Sequence, residues 1–414
     1  MFSASPSHDP YAALRNKEFT IFLAARFLLN FSIHIQSVIV GWQVYQITND
    51  PFSLGLIGLA EAIPAIGIAL FGGHMADTFN RKSIILWCAL VLFGCSFSLY
   101  FVSLGVGDFL YTWGVWAIYV IIFISGISRG IMGPAIFSFW PQIINNKSVY
   151  SNAVTWNSTI WQISATAGPA VGGLLIAPLG IAASYAVDAS LIIISMGLFA
   201  FISSKPMPEK TAHDTVWSNL TAGLKFVFAN EIILSTITLD LFAVLFGGAV
   251  ALLPVYAKDI LHVGAFEFGL LKAAMGVGSV ATALILAYIP IKKFAGKKLL
   301  FAIGGFGFCM ILFGISNIFW LSFVLLIFAG ICDGVSVVIR GTLMQLYTPD
   351  NMKGRVSAVN NIFIGSSNEI GAFESGLAAK MLGVVNSVVV GGVVSILIVC
   401  GTALKAKKLR ELEL

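Results

Sequence analysis

WGVWAIYVIIFISGISRGIMGPAIFS, residues 113–138, is an apolar run that holds a single charge, Arg129. At 1.5 Å of rise per residue, a helix of this length crosses a hydrocarbon layer of about 30 Å. A second run, WLSFVLLIFAGICDGVSVVIRGTLMQL at 320–346, repeats the pattern: GISRG at 126–130 returns as GICDG at 330–334, 204 residues on, with Asp333 in the place of Arg129. Gly168 and Gly173 return as Gly371 and Gly376, a shift of 203, and Asn80-Arg81-Lys82 is echoed by Gly296-Lys297-Lys298. Three echoes in the same order imply that one half-chain unit is duplicated.

The rest of the chain has the same character. It is 58% hydrophobic and 10% charged over 414 residues, with a mean hydropathy of +0.93, so a bilayer is its main solvent. Apolar runs predict twelve spans at about 19–47, 53–76, 83–104, 113–138, 151–177, 183–203, 231–256, 268–290, 299–314, 320–346, 356–381 and 387–404. The fold class expected is an all-α membrane protein of 12 transmembrane helices in two six-helix pseudo-symmetric bundles. Residues 1–203 form the first bundle and 231–414 the second. Residues 204–230, the longest polar stretch, form a cytoplasmic linker with an amphipathic helix.

The net charge of +5 is a topology signal rather than a sign of an anionic partner. Eighteen of the 24 Lys and Arg fall in the loops and tails of one side, one (Lys258) on the other, and five inside spans (Arg26, Arg129, Lys272, Arg340, Lys380). Both termini are therefore expected in the cytoplasm, and no nucleic-acid partner is expected. The first eighteen residues lack a cleavable signal pattern. Cys88, Cys95, Cys309, Cys332 and Cys400 lie in apolar segments without paired spacing, so neither a metal nor a disulfide framework is expected.

Charges inside spans are the main pointers to function, because they are tolerated only beside a cavity or a partner. Arg129 lies about ten residues from the end of its span, too deep to snorkel. Asp333 is its repeat equivalent, and the two are expected to face each other across a substrate path. Arg340 shares the Asp333 face two turns on. Span 1 carries Arg26, Asn30, His34, Ser37 and Gly41 as one polar stripe, read either as a cavity lining or as a hydrogen-bonded seam. Further carboxylates are Glu61, Asp188, Asp240, Glu369 and Glu374. Burial disfavours a carboxylate's charge and a nearby Arg favours it, so a group alternately paired and unpaired can carry a proton. Asp333, Asp240 and Glu369 are the relay candidates, while Asp188 and Glu374 suit structural hydrogen bonding.

The ordered repeats and short loops, with LFGGAVALLPVYAKDIL (245–261), RGTLMQLYTPDNMKGRVSAVN (340–360) and GAFESG (371–376), resemble the major facilitator superfamily. Within it the chain is most similar to the drug and siderophore exporters, the group that includes the enterobactin exporter. Gly73-His-Met-Ala-Asp77-Thr-Phe-Asn-Arg81-Lys82 resembles the superfamily's G-x-x-x-D-R-x-G-R-[RK] loop, which implies a cytoplasmic gate latch of Gly73, Asp77, Arg81 and Lys82. Gly73 would admit a close neighbour, and Asp77 would pair with Arg81. Thr78 and Asn80 depart from that pattern. Arg129-Gly-Ile-Met-Gly133 resembles R-x-x-Q-G with Met132 for the glutamine, and Gly168-Pro169-Ala-Val-Gly172-Gly173 resembles the motif associated with antiporters, where the residues alone predict helix packing.

No phosphate-binding loop, HExxH, CxxC or G-x-S-x-G arrangement occurs. An enzyme and a cofactor are not expected, and a gradient is the expected energy source. The function expected is a monomeric secondary transporter of the bacterial inner membrane. It would exchange protons for a small amphipathic solute, a drug or a siderophore-like compound, among membrane lipids as its surroundings. A lipid or lysophospholipid flippase and a non-transporting scaffold or sensor are the rival readings. On the exchanger reading, Arg129→Ala abolishes coupled transport and leaves folding intact.

Overall fold

The computed structural model describes residues 9, 11–105, 113–144, 149–206, 216–246, 249–289, 294–349 and 352–405. Their regular structure is helical: α1 (Lys17–Thr48), α2 (Pro51–Thr78), α3 (Arg81–Ser103), α4 (Trp116–Phe139), α5 (Tyr150–Phe201), α6 (Val216–Ala229), α7 (Glu231–Phe246), α8 (Ala265–Tyr288), α9 (Ala295–Ile315), α10 (Phe319–Tyr347), α11 (Lys353–Leu382) and α12 (Val384–Lys405). Among the described residues nine helices are long and apolar enough to cross a membrane, or ten if the bent pair Thr221–Ala229 and Glu231–Ala243 is one span.

Three elements depart from the predicted spans. The fifth and sixth run together as the 52-residue α5, broken at Gly180, whose φ of 77° is costly for other residues. A straight helix of that length would reach about 78 Å, more than twice a bilayer core. The seventh shortens to α7, followed by short helical turns around Pro254 and a π-helical turn at Tyr256–Ile260. Finally, α11 is not among those nine helices, because it carries Asn360, Asn368, Glu369 and Glu374, which its packing against α2 and α7 makes tolerable.

Helix α6 lies within residues 204–230 and meets α7 at a bend of 100°. Asn230 makes the corner: its Oδ1 accepts from the backbone N–H of Ile232 and Ile233, each at 3.1 Å. Asn230→Ala is expected to cost about 1 kcal/mol, as loss of an N-cap usually does. Thermal unfolding of the purified protein in detergent checks this, and an unchanged midpoint counts against the cap.

Helices from the first and second parts of the chain meet along two seams, α2 against α11 and α5 against α8. Within the first part α1 packs on α5 and α2 on α4, and within the second α8 packs on α10 and α9 on α12. Cores of buried Phe, Leu and Ile fill these contacts, and the ring of Phe22 is wedged between Phe139 and Phe199.

Candidate translocation site

Glycines bring the charged helices together. A Cβ on Gly126 would stand 2.6 Å from the carbonyl oxygen of Glu61, and one on Gly130 would stand 2.8 Å from that of Ala65, so α4 lies directly on the backbone of α2. The repeated motif does the same in the second part, where a Cβ on Gly330 would meet the Met275 carbonyl oxygen at 2.0 Å and press α10 on α8. The two GxxxG segments thus serve as helix-crossing points, and the charge inside each, Arg129 or Asp333, is turned to the middle.

That middle is a cavity of 420 Å³, to which α1, α2, α4, α8, α9, α10 and α11 contribute. Its charged lining is Glu61, Arg129, Lys272, Asp333 and Glu369, with His34, Ser37 and Asn368 as polar neighbours. Apolar walls come from Ile33, Leu54, Ile57, Phe268, Met275 and Phe306. A concave site with mostly apolar walls and a few converging polar groups is what a small amphipathic ligand requires.

Two ion pairs organise the charges, and they differ in exposure. Arg129 pairs with Glu61 of α2, with side chains 29% and 18% exposed, open to the cavity. Arg340 pairs with Asp240 of α7, with side chains 10% and 9% exposed. A 20 Å³ side pocket beside this second pair is lined by Asp240, Ala243, Ile303, Phe306, Asp333 and Ser336, so Asp333 and Phe306 belong to both spaces. Lys272 Nζ donates to Ser37 Oγ at 2.9 Å. Lys272, Asp333 and Glu369 form no ion pair among the described residues.

Arg129, Asp333, Glu369 and His34 line one cavity. In this structure Arg129 is paired inside its own half with Glu61, because the α2–α4 crossing puts that carboxylate nearest. Arg340, on the Asp333 face of α10, is held by Asp240 of α7. Arg26 lies one turn and more beyond the lining, where it donates to Asn157 Oδ1 of α5. Of its stripe on α1, His34, Ser37 and Gly41 reach the cavity. Asp188 is a structural acceptor, taking bonds from Ser32, from Ser96 at 2.7 Å and from Gln36 at 3.3 Å. Lys272, Glu61 and Asn368 also line the cavity and are not among the site residues expected from the sequence. For Lys272 the signal was present, since a lysine in the middle of a span carries the same cost as Arg129.

The gate motif is changed in detail. Gly72 rather than Gly73 touches α4: a Cβ on Gly72 would stand 2.8 Å from the Gly130 carbonyl oxygen, while one on Gly73 meets nothing within 4 Å. Arg81 donates to the carbonyls of Ala76 and Ser138, both at 2.9 Å, and Lys82 to that of Ala200 at 2.8 Å. The side chain of Asp77 lies outside the described residues. Asn80 stands where the pattern has glycine because its φ of −63° needs none, and its Oδ1 caps α3 by accepting from Ser83 N–H at 3.2 Å.

Gly168, Pro169, Gly172 and Gly173 make α5 a contact surface on two sides. A Cβ on Gly168 would meet the His34 side chain at 2.6 Å, one on Gly172 would meet that of Val38 at 3.1 Å, and one on Gly173 would stand 2.7 Å from Gly269 Cα. Gly269 in turn faces the Pro169 carbonyl. At the end away from the described termini, side chains join the two parts. Tyr45 Oη donates to Asp259, Lys258 Nζ donates to Asn49 Oδ1 at 2.6 Å, and Lys380 lies 3.5 Å from Asp50. Trp42 also stacks on Phe268 with ring centroids 5.4 Å apart.

The comparisons with known proteins agree with this architecture. The model of the family described as transmembrane secretion effector matches residues 8–414. The enterobactin exporter EntS of Shigella boydii is 26% identical over 364 residues, 87% of this chain and 85% of that protein. The enterobactin exporter EntS of Citrobacter koseri is 25% identical over 374 residues, 90% and 87% of the two chains. Among solved structures, a D-xylose-proton symporter matches with a TM-score of 0.74 at 14% identity, covering 97% of this chain and 100% of that one. The nucleoside transporter NupG gives 0.71 at 11% identity, covering 94% and 99%. At such identities the solved structures establish the fold, and they and the relatives are transporters rather than enzymes. The chain belongs to the transmembrane secretion effector family and is a multi-pass transporter of the major facilitator superfamily.

Proposed function

We propose that this transporter is a proton-coupled antiporter that exports a small amphipathic compound, a drug or a siderophore-like molecule, across the bacterial inner membrane. The observation that carries the reading is the central cavity, where Asp333 and Glu369 stand without ion-pair partners among the described residues, beside an Arg129–Glu61 pair that opens on the same space. A carboxylate in such a place holds or releases a proton according to which charges approach it. The likeness to proteins named as enterobactin exporters supports export as the direction.

In this reading twelve spans form two six-helix bundles, residues 1–203 and 231–414, joined by the linker 204–230, with a monomer as the working unit. Both termini and the basic loops face the cytoplasm. The Tyr45–Asp259, Asn49–Lys258 and Asp50–Lys380 contacts then close the outer side, so the cavity loads from the cytoplasm. A proton arriving from outside and the solute arriving from inside take turns at the carboxylates while the bundles rock about the cavity.

Inverted membrane vesicles energised by respiration test this. A panel of amphipathic compounds is added while the internal acidity is followed with a pH-sensitive dye. At least one compound is expected to release protons from the vesicles, and Glu369→Gln is expected to reduce that release about tenfold or more. Compound-driven flux that persists unchanged after a protonophore collapses the gradient would refute proton coupling.

A further inference from the structure

Arg26 is a cation inside a span whose hydrogen-bond partner is neutral. Its guanidinium donates to Asn157 Oδ1 of α5, and among the described residues it forms no ion pair. Three acids that reach α1 are engaged elsewhere: Glu18 by Lys205, Asp188 by Ser32 and Gln36, and Asp259 by Tyr45. One turn on from Arg26, the Nδ2 of Asn30 is buried without a hydrogen-bond partner. An arginine brings five N–H donors and no acceptor. This corner therefore holds donors and lacks an acceptor, which a charge at such a depth requires. Arg26 precedes Ile33 and His34, both in the cavity lining, by seven and eight residues, two turns or about 12 Å along the same side of α1. It stands on the passage, on the side of the cavity away from the Tyr45–Asp259 and Asn49–Lys258 contacts.

The neighbouring face of α5 supplies an apolar platform. Asn157 and Gly168 face α1, while Thr166 and Gly173 face α8. At 3.6 residues per turn, Ser158 and Trp161 fall between those two directions, and both are exposed, Trp161 to 49%. Ile163 and Leu174, exposed as well, fall on the opposite arc. The arc with the polar residue faces the passage, and the purely aliphatic one faces lipid. We propose that Arg26 and Asn30 receive the acidic group, a carboxylate or phosphate, of an exported amphipath, while Asn157 positions the guanidinium and the indole of Trp161 carries the apolar body. The planar fork of an arginine matches two oxygens of either acid, and an exposed indole offers an aromatic or alkyl body a broad face. The subsite names the substrate class of the antiporter described above and rests on that reading. An acid caught there neutralises Arg26 about 12 Å before it reaches His34, so recognition precedes any exchange at the deeper carboxylates.

The test uses two probes that share an aromatic body and differ in the acid, 1-pyrenebutyrate and 1-pyrenebutanol, with the purified full-length protein in maltoside detergent. Binding is followed by energy transfer from tryptophan to pyrene. The acid is expected to bind at least about tenfold more tightly than the alcohol. Arg26→Gln is expected to bring the acid down to the affinity of the alcohol, and Arg26→Lys, which keeps the charge, to retain part of the preference. Asn30→Ala, which removes one donor and leaves the cation, is expected to weaken acid binding severalfold. Equal binding of the two probes by the wild type overturns the proposal, and so does an acid preference that survives in both Arg26→Gln and Asn30→Ala. Native mass spectrometry separates the two sources of an acidic group: phosphatidylglycerol retained by the wild type and lost from Arg26→Gln would give the site to a lipid phosphate and overturn the proposal. Proteoliposomes separate the subsite from antiport. Proton-driven flux that favours neutral compounds over acids sinks the subsite and leaves antiport standing. Acid-selective binding through Arg26 with no proton-driven flux of any compound leaves the subsite standing and removes antiport.

Discussion

Arg129→Ala protein is expected to lose coupled transport and, in addition, to unfold at a lower temperature, because truncation leaves the Glu61 carboxylate without its counter-charge. Sequence alone suggests the opposite for folding. The α2–α4 crossing changes that expectation, since it makes Arg129 the counter-charge of Glu61. Removing both charges separates the two roles. Arg129→Leu with Glu61→Leu is expected to recover most of the lost stability, as apolar replacement of a buried pair often does, while transport stays absent. Thermal unfolding in detergent and vesicle flux read the two effects independently. A single variant as stable as the wild type would mean that the pair contributes nothing to the fold. A double variant that transports would remove Arg129 from the mechanism.

The helices were legible because hydrocarbon enforces a simple rule, about 20 apolar residues per crossing, and this leaves its period in the chain. The repeat was legible for a related reason. Where two helices touch at their backbones only glycine fits, so Gly126 and Gly330, or Gly173 and Gly376, mark equivalent crossings in both parts. Pairing was less legible. Which carboxylate meets Arg129 depends on the rotation and crossing of α2 and α4, and nothing along either helix alone encodes it. Glu61 and Glu369 are equally plausible as sequence, yet one is bonded to Arg129 and the other stands off in the same cavity. Lys272 is a different case. A lysine in the middle of a span carries the same cost as Arg129, and that cost marks the site in the sequence.

The glycine crossings lead to the second large effect. At the α5–α8 seam a methyl group on Gly173 would lie 2.5 Å from the Ala265 carbonyl oxygen and 2.7 Å from Gly269 Cα. These are backbone atoms, which cannot swing aside as a side chain would, so Gly173→Ala has to push the two helices apart. Overpacking of this kind costs about 1–3 kcal/mol, charged against the closed arrangement alone, and at the upper end it shifts the balance between closed and open forms about a hundredfold. Spin labels on Ile47→Cys and Phe266→Cys, exposed positions on α1 and α8, are expected to report a longer distance in the Gly173→Ala background, and transport is expected to fall with it. Gly376→Ala, which meets Gly55 and the Pro51 carbonyl at 3.0 Å, is expected to act in the same direction more weakly, because its neighbours need to yield less. Gly341→Ala is the control: a methyl there meets nothing within 4 Å on α10, so it is expected to stabilise the helix by about 0.5–1 kcal/mol without changing the label distance. An unchanged distance in Gly173→Ala would mean that the seam has slack, and that the antiporter-type motif packs helices without setting which side of the protein is shut.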